Sequence, residues 1–185
     1  MPLTLVLETG AGLTNSNTYV SVAECDAYHD AQLRATDWTG ASAGDKDKAV
    51  AMATRMIDAE MDFFGWKSKE TQALQWPRAL ARNPDVYGGY IGVPIQTAGT
   101  YFDSATIPKA LKDATCEFAR VLLAEDRTRN PDSEGLKSVA IYQGISVVFD
   151  PATVQPVLHR IVTAMLSALG DPKDLHTRSV KLRRA

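Results

Sequence analysis

Few residues in this sequence mark a chemistry outright. There are two cysteines, Cys25 and Cys116, in 185 residues. Two cysteines make no disulfide framework, and a chain of this length does not need one to bury a core. Two reduced cysteines on buried helix faces are therefore expected. Histidine is nearly as scarce, at three. No apolar run approaches the ~18 residues of a membrane-spanning helix. Met1-Pro2-Leu3-Thr4 sets no basic segment ahead of an apolar stretch, so no secretory leader is expected. Neither charge sign dominates, with 20 Lys plus Arg against 22 Asp plus Glu. That balance, with 45% apolar residues, argues against a disordered, collagen-like or histone-like chain. A soluble cytoplasmic domain, with arms, is the expectation.

Catalytic motifs are lacking too. There is no phosphate-binding Gly-Lys-Ser/Thr loop, no Gly-x-Gly-x-x-Gly after a strand, and no Gly-x-Ser-x-Gly elbow. Gly10-Ala11-Gly12 leads into a loop rather than a helix. Cys25 and His29 share one helix at a spacing that can supply two metal ligands, but His159 and His176 stand alone. A core cysteine beside a surface histidine is the preferred reading. Asp58 and Asp62 share a helical face, with no third acid or histidine near, and read as solvated. No enzyme, no metal and no cofactor is expected.

What is present is helical periodicity. Ser21 and Glu24 have capping-box spacing ahead of a helix over 22–34. Val50, Ala53, Ile57, Met61 and Phe64 stripe a second helix over 45–64, which Gly65 ends; its breadth makes it the expected central helix. A third begins near Ile107 with Pro108 in its first turn. A fourth runs over 153–169, with Pro156 in its first turn. Residues 137–149 read as a hairpin. A three-residue loop over 142–144 pairs Ile141 with Ile145 and Val139 with Val147, which gathers the branched residues on one face. Residues 1–20 read as an irregular arm, in which Leu3, Leu5 and Leu7 could form a short strand. Residues 66–106 read as a long irregular loop. The expected fold is mainly α: a four-helix bundle with one β-hairpin, that loop, and extended N- and C-terminal arms. Residues 1–170 form one domain and 171–185 a basic C-terminal arm.

Charge is unevenly placed. The last 15 residues carry five basic groups against Asp171 and Asp174, while 1–170 carry 15 basic and 20 acidic groups. A basic arm on an acidic body points to a partner for the arm. The stretch 66–90 interleaves Trp66, Lys67, Lys69, Trp76, Arg78, Arg82 and Tyr87, a pattern seen in single-strand binding. An acidic body attracts polyphosphate poorly, however, and the tryptophans can equally anchor the loop to the helices.

Three stretches carry a family resemblance. They are Glu8-Thr9-Gly10 with Asn17-Thr18-Tyr19-Val20-Ser21, then Gln75-Trp76-Pro77-Arg78, then Ile107-Pro108-Lys109-Ala110-Leu111-Lys112. Their order and spacing, over roughly residues 5–125, resemble the small head–tail connector (adaptor) proteins of tailed bacteriophages. Some of those carry the label DnaT-like single-stranded-DNA-binding protein.

The resemblance implies a structural protein of the virion neck, made in the host cytoplasm. It implies a homo-oligomeric ring of about twelve copies beneath the portal protein, joined to a downstream tail or stopper protein, with genomic double-stranded DNA passing through. The portal-binding candidates are Leu175, Arg178, Val180, Lys181, Leu182, Arg183 and Arg184. The candidates for subunit or tail-side contacts are Tyr87, Tyr90, Tyr101, Phe102, Tyr142 and Gln143. Trp76, Pro77 and Arg78 read as a buried structural corner, in which Arg78 bridges backbone carbonyls. The alternative is a single-stranded-DNA-binding replication accessory protein, with Trp66 and Trp76 as stacking residues.

Overall fold

The computed structural model describes residues 3–85, 101–127, 138–141, 145–148 and 156–173, with backbone alone for 138–141 and 145–148. Helix α1, Val22–Asp30, starts at a reciprocal cap. The Glu24 amide donates to Ser21 Oγ at 3.2 Å, and the Ser21 amide donates to Glu24 Oε2 at 2.8 Å. The helix stops before the expected Arg34. Its buried side chains are Cys25 and His29 alone, and Leu33 beyond it lies fully in solvent, so no apolar contact extends the helix. A short helix α2, Thr36–Thr39, follows in a stretch that reads as loop and buries Trp38.

Helix α3, Ala43–Glu60, is capped by Ser42, which accepts from the Asp45 amide. The sequence favoured a helix continuing to Phe64. Instead the chain becomes extended as β1, Met61–Phe63, which pairs antiparallel with β6, Gly170–Pro172. Met61 and Phe63 point inward with Asp62 outward, a period of two rather than 3.6. A Cβ on Gly170 would sit 2.5 Å from the Asp62 carbonyl oxygen, so glycine permits the two strands to approach. The competing partner is distant in sequence, and that is why local periodicity misplaces the boundary.

Helix α4, Lys109–Ala124, starts one residue after the capping Pro108. It packs against α1, α2, α3 and the last helix, α5, Arg160–Leu166. Helix α4 is therefore the central helix, not α3. Leu111, Ala114, Phe118 and Val121 form its buried face together with Cys116 and Ala119. Helix α5 is shorter than the expected 153–169. His159 caps it, Pro156 precedes it, and Leu169 is buried just past it; residues 151–155 lie outside the described residues.

Two further ribbons complete the fold. Strands β2, Trp66–Lys67, and β3, Arg78–Ala79, pair antiparallel inside the span read as irregular. Strands β4, Ser138–Ile141, and β5, Ile145–Val148, form the hairpin in the three-residue-loop register, with Val139 opposite Val147 and Ile141 opposite Ile145.

The four-helix bundle is thus corrected to a mixed α/β arrangement. Among the described residues there are five helices and three two-stranded antiparallel sheets. Two of the sheets pair segments that are not hairpin neighbours, and single-segment patterns carry no signal for such pairing.

The N-terminal stretch is not an extended arm over its described length. The Glu8 amide donates to Thr18 O at 2.8 Å and the Asn17 amide to Val6 O at 2.9 Å. The alternating leucines form no strand, only a bridge between Leu7 and Thr18. At the other end, Asp171 and Pro172 belong to the β6 ribbon, so the folded body continues past Gly170.

The cysteines are corrected as well. Cys25 and Cys116 are joined as a disulfide across 91 residues of sequence, fastening α1 to α4. Two buried helix faces were foreseen, but not that they face each other. Closing so long a loop restricts the unfolded chain by about 4.6 kcal/mol in the entropy model. Reduction, or the Cys25→Ser/Cys116→Ser pair, should therefore lower the denaturation midpoint. Urea melts with and without reductant check this, and identical midpoints would show that the bond adds nothing.

Candidate functional site

Two of the three sequence stretches singled out above, 17–21 and 75–78, meet at one point. Tyr19 is fully buried, and its hydroxyl donates to Asp58 Oδ1 at 2.5 Å. The Tyr19 hydroxyl oxygen accepts from the Trp76 amide at 3.1 Å, and the Gln75 amide donates to Asp58 Oδ2 at 2.9 Å. Asp58 is therefore not part of a solvated face. Burial raises its pKa to about 6, against the lowering effects of Tyr19, the Gln75 amide, Lys67 and Lys173. Burial, reinforced by Asp58, lifts the Tyr19 phenol well above its ordinary range. Lys173, just past β6, donates to the carbonyls of Asp58 and Ala59 and so closes the C-terminal end of α3. Asp58 borders an open groove of ≈ 670 Å³ with Leu3, Asn17, Met52, Arg55 and Leu74.

Glu8 organises the first glycine-containing motif. Its carboxylate is buried and accepts from the amides of Gly10, Gly12 and Leu13 at 2.8–3.0 Å, and from Ser16 Oγ at 3.1 Å. Four donors on one carboxylate satisfy the buried charge. Gly10 has φ +95° and would place a Cβ 1.7 Å from the Ala105 carbonyl oxygen. Only glycine permits that approach to the turn before the third motif. Lys112 of that motif reaches Glu24 of α1 at 2.8 Å.

The corner at Trp76-Pro77-Arg78 is buried. Trp76 has no exposed surface and packs edge-on against Phe63 and Phe102, with ring centres 6.0 and 5.8 Å away. Arg78 donates from Nε to Phe64 O at 2.8 Å, from Nη2 to Gly65 O at 2.6 Å, and from Nη1 to Gln75 O and Oε1. Its donors are committed to the turn 64–65 and to Gln75. Gly65, at φ +74°, presses that turn onto β3, since a Cβ would lie 2.3 Å from Ala79 O.

An exposed strip lies on the other side of this corner. The segment 78–82 is flanked by Trp66–Lys67 at one end, and at the other by a bridge from Arg82 to Tyr101 and a bond from the Phe102 amide to Ala81 O. Ser68 Oγ donates to Ser104 O at 2.6 Å, tying the flanks together. These segments carry Phe64, Trp66, Leu80 and Tyr101, at 44%, 60%, 48% and 41% exposure. Leu80 has φ +54°, unusual for a branched side chain. Arg82 is exposed and makes no ion pair among the described residues.

The structure sorts the sequence candidates. Of the mixed basic and aromatic stretch, Trp66 and Arg82 reach solvent, while Trp76 and Arg78 face inward. Lys69 donates to Ala11 O and Lys67 to Gln72 O. Tyr101 is exposed, whereas Phe102 is committed to Trp76. Tyr87, Tyr90, Tyr142, Gln143, Leu175, Arg178, Val180, Lys181, Leu182, Arg183 and Arg184 lie outside the described residues. The Cys25–His29 metal pair is removed by the disulfide. His29 is buried, not at the surface; its Nε2 lies 3.0 Å from Cys116 O, and burial lowers its pKa. No group of three metal-ligating side chains occurs among the described residues. Phe64 and Leu80 escaped sequence reasoning. Phe64 fitted a helix face, and the lone Leu80 had no periodic partner.

A family model described as “Putative DnaT-like ssDNA binding protein” matches residues 3–185. No curated protein and no solved structure matches the chain.

Asp58 generates a pH prediction. Its folded pKa of about 6 lies above the ordinary carboxylate value, so the folded protein holds the extra proton as pH falls through that range. The stability it contributes is fully present below the unfolded pKa and is lost as pH rises through about 6. Asp58→Asn should remove that part of the slope. Thermal unfolding of both proteins between pH 4 and 8 checks this, and parallel curves would overturn it.

Proposed function

The chain belongs to the DnaT-like ssDNA binding protein family, and from that membership and the exposed strip we propose that it binds single-stranded DNA as a replication accessory protein. The observation that carries this reading is the solvent position of Trp66, beside Tyr101 and Arg82. An unpaired base stacks on an exposed ring for about 1–3 kcal/mol, whatever its sequence, and a nearby guanidinium holds the backbone. Trp66 lies on a ribbon whose turn is fixed by Arg78, so its ring is presented rather than buried.

A second reading has its own support. The body is acidic, and the strip Phe64, Trp66, Leu80 and Tyr101 also suits contact between copies. In that reading the chain is a tailed-phage adaptor whose ring sits beneath the portal, with the basic C-terminal residues as the docking arm. Like charge keeps the channel from holding the passing duplex.

Fluorescence anisotropy with a labelled oligo-dT tests the first reading. Trp66→Ala should weaken binding about ten-fold while leaving the melting temperature unchanged, because the side chain is mostly in solvent. Undiminished binding by the folded variant would overturn it. Electron microscopy of the full chain mixed with the portal protein tests the second. A ring of added density is expected, and folded proteins that show none count against it.

A further inference from the structure

We infer that the Cys25–Cys116 bond is a redox latch: it holds α1 closed on α4, and its reduction opens α1 while the rest of the fold stands. The device is independent of what the exposed strip binds.

Helix α1 has little else to hold it. Its two buried side chains are Cys25 and His29, and both end on one residue of α4. Cys25 is bonded to the sulfur of Cys116, and His29 Nε2 lies 3.0 Å from the Cys116 carbonyl oxygen. A carbonyl only accepts, so Nε2 carries the proton and Nδ1 is left as an acceptor. Nδ1 is buried with no hydrogen-bond partner among the described residues. Opening α1 gives that nitrogen to water, which favours the open form. Val22 and Tyr28 are only partly buried. The other ties are polar: Glu24 to Lys112, Asp26 to Lys46, and Asp26 to Trp38 Nε1, each at 2.8 Å. The Glu24 and Asp26 side chains are 43% and 46% exposed, and ion pairs so placed stabilise little.

The chain on either side of α1 is fixed without it. Tyr19 and Val20 are buried ahead of it and Trp38 behind it, so 22–34 can lift between two anchors. Helices α3 and α4 pack together, and their Val50, Ala53, Ile57, Leu111 and Phe118 are fully buried without help from either cysteine. Both sulfurs are buried too, so a reductant reaches them only when α1 lifts, and the bond opposes that lift. The reaction is exchange with a dithiol reductant. Its thiolate attacks one sulfur, the Cys25–Cys116 bond breaks as a mixed disulfide forms, and its second thiol displaces the protein sulfur. Two electrons and two protons pass to the cysteine pair, and the dithiol ends as a disulfide. The closed, oxidised form shelters its own bond. The open, reduced form leaves both thiols within reach of an oxidising disulfide, which resets the latch.

Native-state hydrogen exchange of the full chain, oxidised and in excess dithiothreitol, tests this over a range of low urea concentrations. On reduction the α1 amides should exchange at least about ten-fold faster, at a rate that scarcely changes with urea, as local opening requires. The amides of 50–57 in α3 should keep the steep urea dependence of global unfolding. Both cysteines of the reduced protein should react with iodoacetamide in urea-free buffer, and the Cys25→Ala/Cys116→Ala variant should show the reduced exchange pattern without reductant. Helix α1 amides that keep the steep dependence after reduction would overturn the latch, as would thiols that stay unreactive. Equally fast α1 exchange in the oxidised protein would show that the bond does not hold the helix. A reduced chain unfolded throughout would show that the body does not stand without it, and either result overturns the inference.

Discussion

The Tyr19 hydroxyl is where distant parts of the chain are made to agree. It donates to Asp58 on α3 and accepts from the Trp76 amide, so the N-terminal segment, the long helix and the Trp76 corner share one buried oxygen. None of the three can shift without stranding a polar group in the core. Lys173 adds the C-terminal ribbon by binding the carbonyls at the end of the same helix. The cost is a carboxylate whose pKa burial raises to about 6, which makes the junction sensitive to pH.

That junction also decides what faces outward. With Trp76 turned inside against Phe63 and Phe102, the ribbon that follows must present Trp66 and Leu80 to solvent. Arg78 serves the inner side, holding three carbonyls where a sequence pattern would place it on a phosphate. The same guanidinium cannot do both, because its donors are already aimed at the backbone. An aromatic strip exposed beside a guanidinium whose donors face inward is the consequence.

Several elements were legible locally. The Ser21–Glu24 cap, the existence of the long helix and the hairpin register follow from residue spacing alone, because each depends on neighbours a few positions away; the Ser42 cap of that helix was not read. The carbonyl-bridging geometry of Arg78 was likewise foreseeable from its place after Trp-Pro. The end of α3 was not. Met61 suits both a helical and an alternating pattern, and β6 settles the choice from the other end of the chain. The cysteines failed similarly. Each was placed on a buried helix face, but their approach depends on how α1 crosses α4. Asp58 looked solvated because the groups that bury it belong to other segments.

The sequence by itself determined the first helix cap, the apolar faces, the hairpin pairing and the charge contrast between body and tail. These arise from hydrogen bonds and periodicities within a few residues. Only the tertiary structure decided which tryptophan is buried and which is exposed, which cations remain available, where α3 gives way to a strand, and that Cys25 meets Cys116. Those outcomes rest on contacts between remote segments, and burial and hydrogen-bond satisfaction are properties of the assembled core rather than of any one stretch.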